Sequence, residues 1–319
     1  MKKTAISLTI IMVTGMLLAH PAFAHNFVQN SNSNLIARIQ EFKTESNLIA
    51  NNISNSSLAQ WHVTKSQEYW STNEINGLSQ KNSTLANNVS SAIDDLYSLV
   101  GQKVDPSIAN QKANSLNQML DQASSEIISS TDQNNATIQS LAIVGVLNEA
   151  LKDYGDAIGS TVDLTNMSNM NMGSMSMSNS SSMNMRGMSM GSSSSMNMGG
   201  MSGMSGTPIV DIGAYQSAQA LTDTAQNMFN NLMTIAPSSA SPYLSKIGSA
   251  LVSLKQAINS KESGNDVMMI VHMQIHPNFI SAFNLQTVPE FPFPVFLTLL
   301  SFSGIILVSK ILPKVRKHM

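Results

Sequence analysis

The chain has 319 residues, 17 of them basic and 19 acidic, with six histidines, 23 methionines and no cysteine. That composition excludes disulfides, thiolate metal centres and cysteine catalysis. Between residues 25 and 292 there are 11 basic against 19 acidic side chains, a net charge of −8. Such a dispersed acidic surface argues against a nucleic-acid partner, because phosphate binding needs basic patches, and it is compatible with attracting metal cations.

Residues 1–24 read as a secretory signal peptide. Lys2 and Lys3 form the charged start, Thr4 to Ala19 the apolar run, and Ala22-Phe23-Ala24 a small-x-small cleavage site. Cleavage makes His25 the first residue, offering its α-amine and a ring nitrogen to one metal. This resembles the amino-terminal histidine chelate of copper monooxygenases and periplasmic copper carriers. The pattern requires a second histidine, which His62 or His272 would supply; otherwise His25 is a chance residue on a frayed terminus.

Helical periodicity dominates the rest. Leu35, Ile36, Ile39, Phe42, Ile49 and Ile53 recur at three- and four-residue steps and predict a helix over 32–54. A second is expected over 57–75 with Trp61, Val63, Tyr69 and Trp70, and a third over 83–100 capped by Gly101. Pro106 opens a fourth. The fifth, 134–158, is the most apolar and should be central. Three more are expected over Ile209–Ile235, Pro242–Ile258 and Asp266–Leu285, and no strand pattern is found. The predicted fold is all-α, an up-and-down bundle of about eight helices plus one C-terminal transmembrane helix. Residues 25–160 form its first part and 209–287 its second, combined in one composite bundle because under 80 residues is marginal for a separate core.

Between the two parts, residues 161–208 are rich in Met, Ser, Asn and Gly and read as a flexible segment. Thirteen methionines fall there: Met167, Met170, Met172, Met175, Met177, Met183, Met185, Met188, Met190, Met196, Met198, Met201 and Met204. Ser, Gly and Asn neighbours build no core, so the sulfur itself is the reason to keep these side chains. Thioethers are soft, neutral ligands that suit Cu(I), and copper or silver binding is the favoured reading. A plain spacer and an oxidation sink of reducible sulfoxides are the alternatives.

Met269, His272, Met273 and His276 stand at i, i+3, i+4 and i+7, which on a helix gives one stripe of two imidazoles and two thioethers. That set can hold copper in either oxidation state. Against it, Pro277 disfavours helical backbone at His276 and would leave that histidine at the helix end. The helix is also apolar nearly all round, which suits a core role for the methionines. His62 beside Trp61 reads as a half-buried helix residue. Glu41 and Glu45 share a face without the Glu-x-x-His pattern of a di-iron site, and Asp94-Asp95 and Asp153/Asp156 read as solvated pairs. No His-Glu-x-x-His helix or Gly-rich phosphate loop occurs, so no enzyme activity is expected, a copper oxygenase using His25 being the alternative.

Residues 288–319 form the last segment. Phe293 to Ser309 is an uncharged run of 17 residues followed by Lys310, Lys314, Arg316 and Lys317. A membrane-spanning helix with a cytoplasmic tail is expected, which places the preceding chain outside the cell. Val288-Pro289-Glu290-Phe291-Pro292, the apolar run and the basic tail resemble the Pro-Glu-Phe type carboxy-terminal sorting signals of archaeal cell-surface proteins. That resemblance implies a surface protein whose tail can be exchanged for a lipid anchor. Sequons at Asn52, Asn55, Asn82, Asn88, Asn135, Asn166 and Asn179 agree with an exported glycoprotein. The layout also loosely resembles exported helical proteins of ammonia-oxidising archaea. A surface-anchored copper-binding protein, handing its metal to a membrane or extracellular recipient, is the expected function. The competing expectation is a structural envelope glycoprotein with a flexible Met-rich spacer.

Overall fold

The structure, a computed structural model, describes residues 26–28, 30–167 and 206–288. The signal peptide, His25, the methionines from Met170 to Met204 and the C-terminal segment from residue 289 onward lie outside the described residues, as does the expected membrane-spanning run. Among the described residues no helix is long and apolar enough to cross a membrane.

Among the described residues the fold is all-α apart from one pair of two-residue strands. Gln29–Gln286 form one compact unit, built from α1 (Ser31–Asn51), α2 (Ser56–Ser66), α3 (Thr72–Lys81), α4 (Ser83–Ser98), α5 (Pro106–Ile127), a short α6 (Ser130–Gln133), α7 (Ala136–Ala157), α8 (Ile212–Ile235), α9 (Ser241–Asn259), α10 (Gly264–Met269) and α11 (His276–Phe283). A separate small unit contains an antiparallel pair of two-residue strands, β1 (Asn26–Phe27) with β2 (Thr287–Val288), in the register Asn26↔Val288. Two residues are too few to leave a period-2 signature, so no alternation of residue types points to the pair.

Local chemistry sets the helix starts. Asn30 and Ser33 form a reciprocal capping box on α1, and Asp105 precedes Pro106 at the first turn of α5. Asn55, Asn82 and Asn135 each accept backbone N–H bonds as N-caps of α2, α4 and α7. Three of the sequon asparagines thus start helices through Oδ1, leaving the amide nitrogen to which a glycan attaches outside the capping bond. Gly101, at φ +82°, turns the chain after α4, in the left-handed region that glycine enters without strain.

The expected helix over 57–75 is two helices. α2 ends at Ser66, and Ser71 and Glu74 form a capping box that starts α3. The break is held from 30 residues away. Arg38 on α1 donates through Nε to the Tyr69 carbonyl at 3.1 Å and through Nη2 to the Glu68 carbonyl at 2.6 Å, replacing partners that a continuing helix would have provided. The fifth expected helix is central as anticipated: α7 is buried on nearly every face from Ile138 to Ala157 and packs along α1 and α8.

Gly213 permits one close approach. A Cβ there would lie 2.4 Å from the indole ring of Trp61, whose Nε1 donates to Asp211 at the cap of α8 at 3.2 Å. Gly213→Ala should therefore lower stability by about 1–3 kcal/mol through overpacking, although alanine is the better helix former by about 1 kcal/mol. A thermal midpoint equal to or above that of the parent would contradict this.

Candidate functional site

Both roots of the Met-rich segment are fastened at one end of the bundle. After α7, Leu164 is buried against Gly155 and Gly264. On the return, Thr207 N–H donates to the Lys261 carbonyl at 2.7 Å, and Val210 and Asp211 N–H both donate to the Ala157 carbonyl at 2.8 and 3.2 Å. The segment therefore leaves and re-enters where the C-terminus of α7 meets the turn between α9 and α10.

His272 lies under the first root. Its Nε2–H donates to the Leu164 carbonyl at 3.0 Å, three residues before Met167. A carbonyl can only accept, so this bond fixes the tautomer and leaves Nδ1 with its lone pair. Nδ1 is buried and has no hydrogen-bond partner among the described residues. An imidazole held through one nitrogen by a carbonyl, with the other nitrogen presented as a base, is the usual posture of a metal-ligating histidine. Burial holds its pKa below the ordinary value, against smaller opposing effects of the Leu164 carbonyl and Asp163, which keeps the ring neutral. His276 is also buried, its ring edge-on to His272 with centroids 5.0 Å apart.

Pro277 does not end the helix. Ile270–Ile275 form a π segment, and His276 keeps helical dihedrals of −57° and −47° while its N–H reaches the Val271 carbonyl five residues back. The wider turn accommodates a proline that lacks an N–H and would clash with a regular helix. It also alters the expected stripe. His272 and His276 are brought together in the interior, whereas Met269 is half-buried and Met273 is 45% exposed. Met167, the first methionine of the segment, is half-buried.

A second polar assembly, which the sequence reading missed, fills the junction of α1, α2, α7 and α8. His62 is wholly buried rather than half-buried, with Nδ1 2.7 Å from Glu45 Oε2 and Nε2 3.1 Å from Gln216 Oε1. Both ring nitrogens are engaged, which removes it as the partner of an amino-terminal chelate. Asp153, expected on a solvated face, is 1% exposed; Asp156 and the Asp94-Asp95 pair are exposed as expected. Ser217 Oγ bonds Glu45 Oε1 at 2.5 Å and Asp153 Oδ2 at 2.6 Å. Lys65 Nζ is 2.7 Å from Asp153 Oδ1 and 2.6 Å from Glu149 Oε1, which also accepts from the Tyr69 hydroxyl at 3.1 Å.

The electrostatics follow from burial. Desolvation pushes Glu41 up to about 8 and Asp153 to about 7, the charge of Glu149 adding to both. Burial alone would lower Lys65, but Asp153 and Glu149 outweigh it and hold its pKa above the ordinary value. Glu149 is the reverse case: burial would raise it, and Lys65 and Lys152 hold it down.

Among the described residues no group of three or more histidine, aspartate and glutamate side chains is arranged to hold a metal ion. Glu45, Glu149 and Asp153 of the polar junction are engaged by His62, Lys65, Tyr69 and Ser217. Any metal centre here would combine the paired imidazoles with sulfur from the methionines. Comparison with protein-family models, with curated proteins and with solved structures finds no match to this chain.

Proposed function

We propose that the protein binds copper outside the cell, collecting Cu(I) on the thioethers of residues 167–204 and holding it in more ordered form at His272 and His276. Residues 1–24 would export it, and residues 288–319 would anchor it at the membrane surface for delivery to a recipient protein. The observation that carries this reading is the bond from His272 Nε2–H to the Leu164 carbonyl. It sets a neutral imidazole with an unengaged Nδ1 at the foot of the methionine segment. The π segment lends further support, because such turns concentrate at functional sites.

Cu(I) stoichiometry of the purified protein with and without residues 167–204 tests the collector. The deletion should remove most of the capacity, and in the parent that capacity should persist at acidic pH because thioethers carry no titrating proton. Equal stoichiometry in the two proteins sinks the idea and favours an envelope protein with a Met-rich spacer. The same deletion should leave helix content and thermal midpoint nearly unchanged, since Ser, Gly and Asn bury little apolar surface and loop length enters closure entropy only logarithmically. A cooperative loss of structure would show that the segment packs into the fold.

A further inference from the structure

We propose that the junction of α1, α2, α7 and α8 is a buried proton-binding site, in which a proton shared along Glu45, Ser217 and Asp153 clamps α7 to α8. This does not rest on the copper reading, although α7 and α8 are the helices between which the methionine segment leaves and returns.

Hydrogen counting carries the argument. Asn52 Nδ2 donates to the Leu48 carbonyl at 2.9 Å, and so presents a donor to Gln216 Oε1 at 3.0 Å. That oxygen faces His62 Nε2, which must therefore carry a hydrogen. The 2.7 Å contact from His62 Nδ1 to Glu45 Oε2 requires one hydrogen more. Ser217 Oγ then touches a carboxyl oxygen on each side, at 2.5 and 2.6 Å. A hydroxyl owns one hydrogen and can donate to only one of them. The other contact requires a hydrogen on the carboxyl, donated to Ser217 Oγ.

Burial points the same way. Glu41, Glu45 and Asp153 are almost wholly buried, and Lys65 divides its charge between Asp153 and Glu149, the latter shared with half-exposed Lys152. Uncompensated buried charge is costly, and desolvation pushes both Asp153 and Glu41 toward the protonated form. Asp153 still accepts from Lys65 through Oδ1 while donating through Oδ2. The other facing groups lie further out. Arg38 and Lys152 lie at the rim with side chains 38% and 49% exposed, as does Glu68 at 53%. The hydroxyls of Tyr69 and, through Ser66, Tyr97 stay neutral, both held above their ordinary pKa by burial first.

The consequence is a defined pH response. Asp153 moves from 3.8 to about 7 and Glu41 from 4.5 to about 8, so both keep protons in the folded state that the unfolded chain has released. Their stabilisation is complete below the unfolded values and is lost as pH rises through the folded ones. Glu149, shifted down, acts oppositely and only in the acid range.

Thermal midpoints of the full chain across about pH 5 to about pH 8 test this. The midpoint should fall with rising pH, each such proton changing the unfolding constant by up to about tenfold per pH unit. Asp153→Asn replaces the proton by a permanent amide hydrogen, so its fall should be shallower. A slope identical to the parent's overturns the proposal. Should that variant fail to fold, infrared difference spectra of Glu41→Gln give an independent reading. A protonated-carboxyl band should remain near neutral pH and vanish on alkaline titration, and its absence overturns the proposal equally.

Discussion

Replacing Lys65 by methionine should cost about 3–5 kcal/mol of folding stability. Methionine keeps nearly the length and volume of the stem, so the loss isolates the charge. Lys65 bonds Glu149 at 2.6 Å and Asp153 at 2.7 Å from a side chain only 7% exposed. Its removal leaves Glu149 ionised in the interior with only half-exposed Lys152 at 3.0 Å for compensation. Denaturant midpoints near neutral pH measure the effect. The deficit should narrow in acid, where Glu149 is protonated in folded and unfolded chains alike. A variant as stable as the parent would show that the junction holds its carboxyls neutral without help.

Substituting His272 and His276 together by alanine should abolish Cu(II) binding while most Cu(I) uptake by residues 167–204 survives. Cu(II) prefers imidazole nitrogen, and the thioethers of the segment hold Cu(I) without it. Losing the bond from His272 to Leu164 should also loosen the root of the segment, at about 0.5–1.5 kcal/mol. Circular dichroism of the variant separates that loss from unfolding. If Cu(II) binding persists in the double variant and disappears when a residue is added ahead of His25, the metal sits at the terminus. If neither change matters, the histidines are interior residues without a metal role.

Much of the fold was legible because helix ends are written locally. Pro106, Gly101 and the apolar stripe of α7 say where chains turn and what lies inside. The break between α2 and α3 was half-legible: Ser71 and Glu74 spell a capping box, but Arg38, which stabilises the vacated carbonyls, lies a helix away. The polar junction was missed for a different reason. Glu45 shares a helical phase with Phe42 and Ile49, and Asp153 with Ala150 and Ala157, so each charge sits on the stripe that packs inward. That phase was the available signal. The partners that make such burial tolerable come from helices more than 60 residues distant in sequence for Ser217 and Asp153, and no spacing rule reaches that far. At the histidines, spacing gave the pair but not its company, because regular helical geometry does not describe residues 270–275.

The π turn also makes this stretch unusually sensitive to length. It holds about one residue more than the α turn it replaces. Removing a single residue between Ile270 and Ile275 would restore regular winding and swing everything beyond by roughly 100° about the helix axis. His276 would leave the ring of His272, and Phe279 would leave Phe229, which it now meets edge-on at 6.5 Å. A substitution in this turn perturbs one contact, whereas a deletion re-addresses an entire face, so variation in the number of residues here should be far less tolerated than variation in their identity.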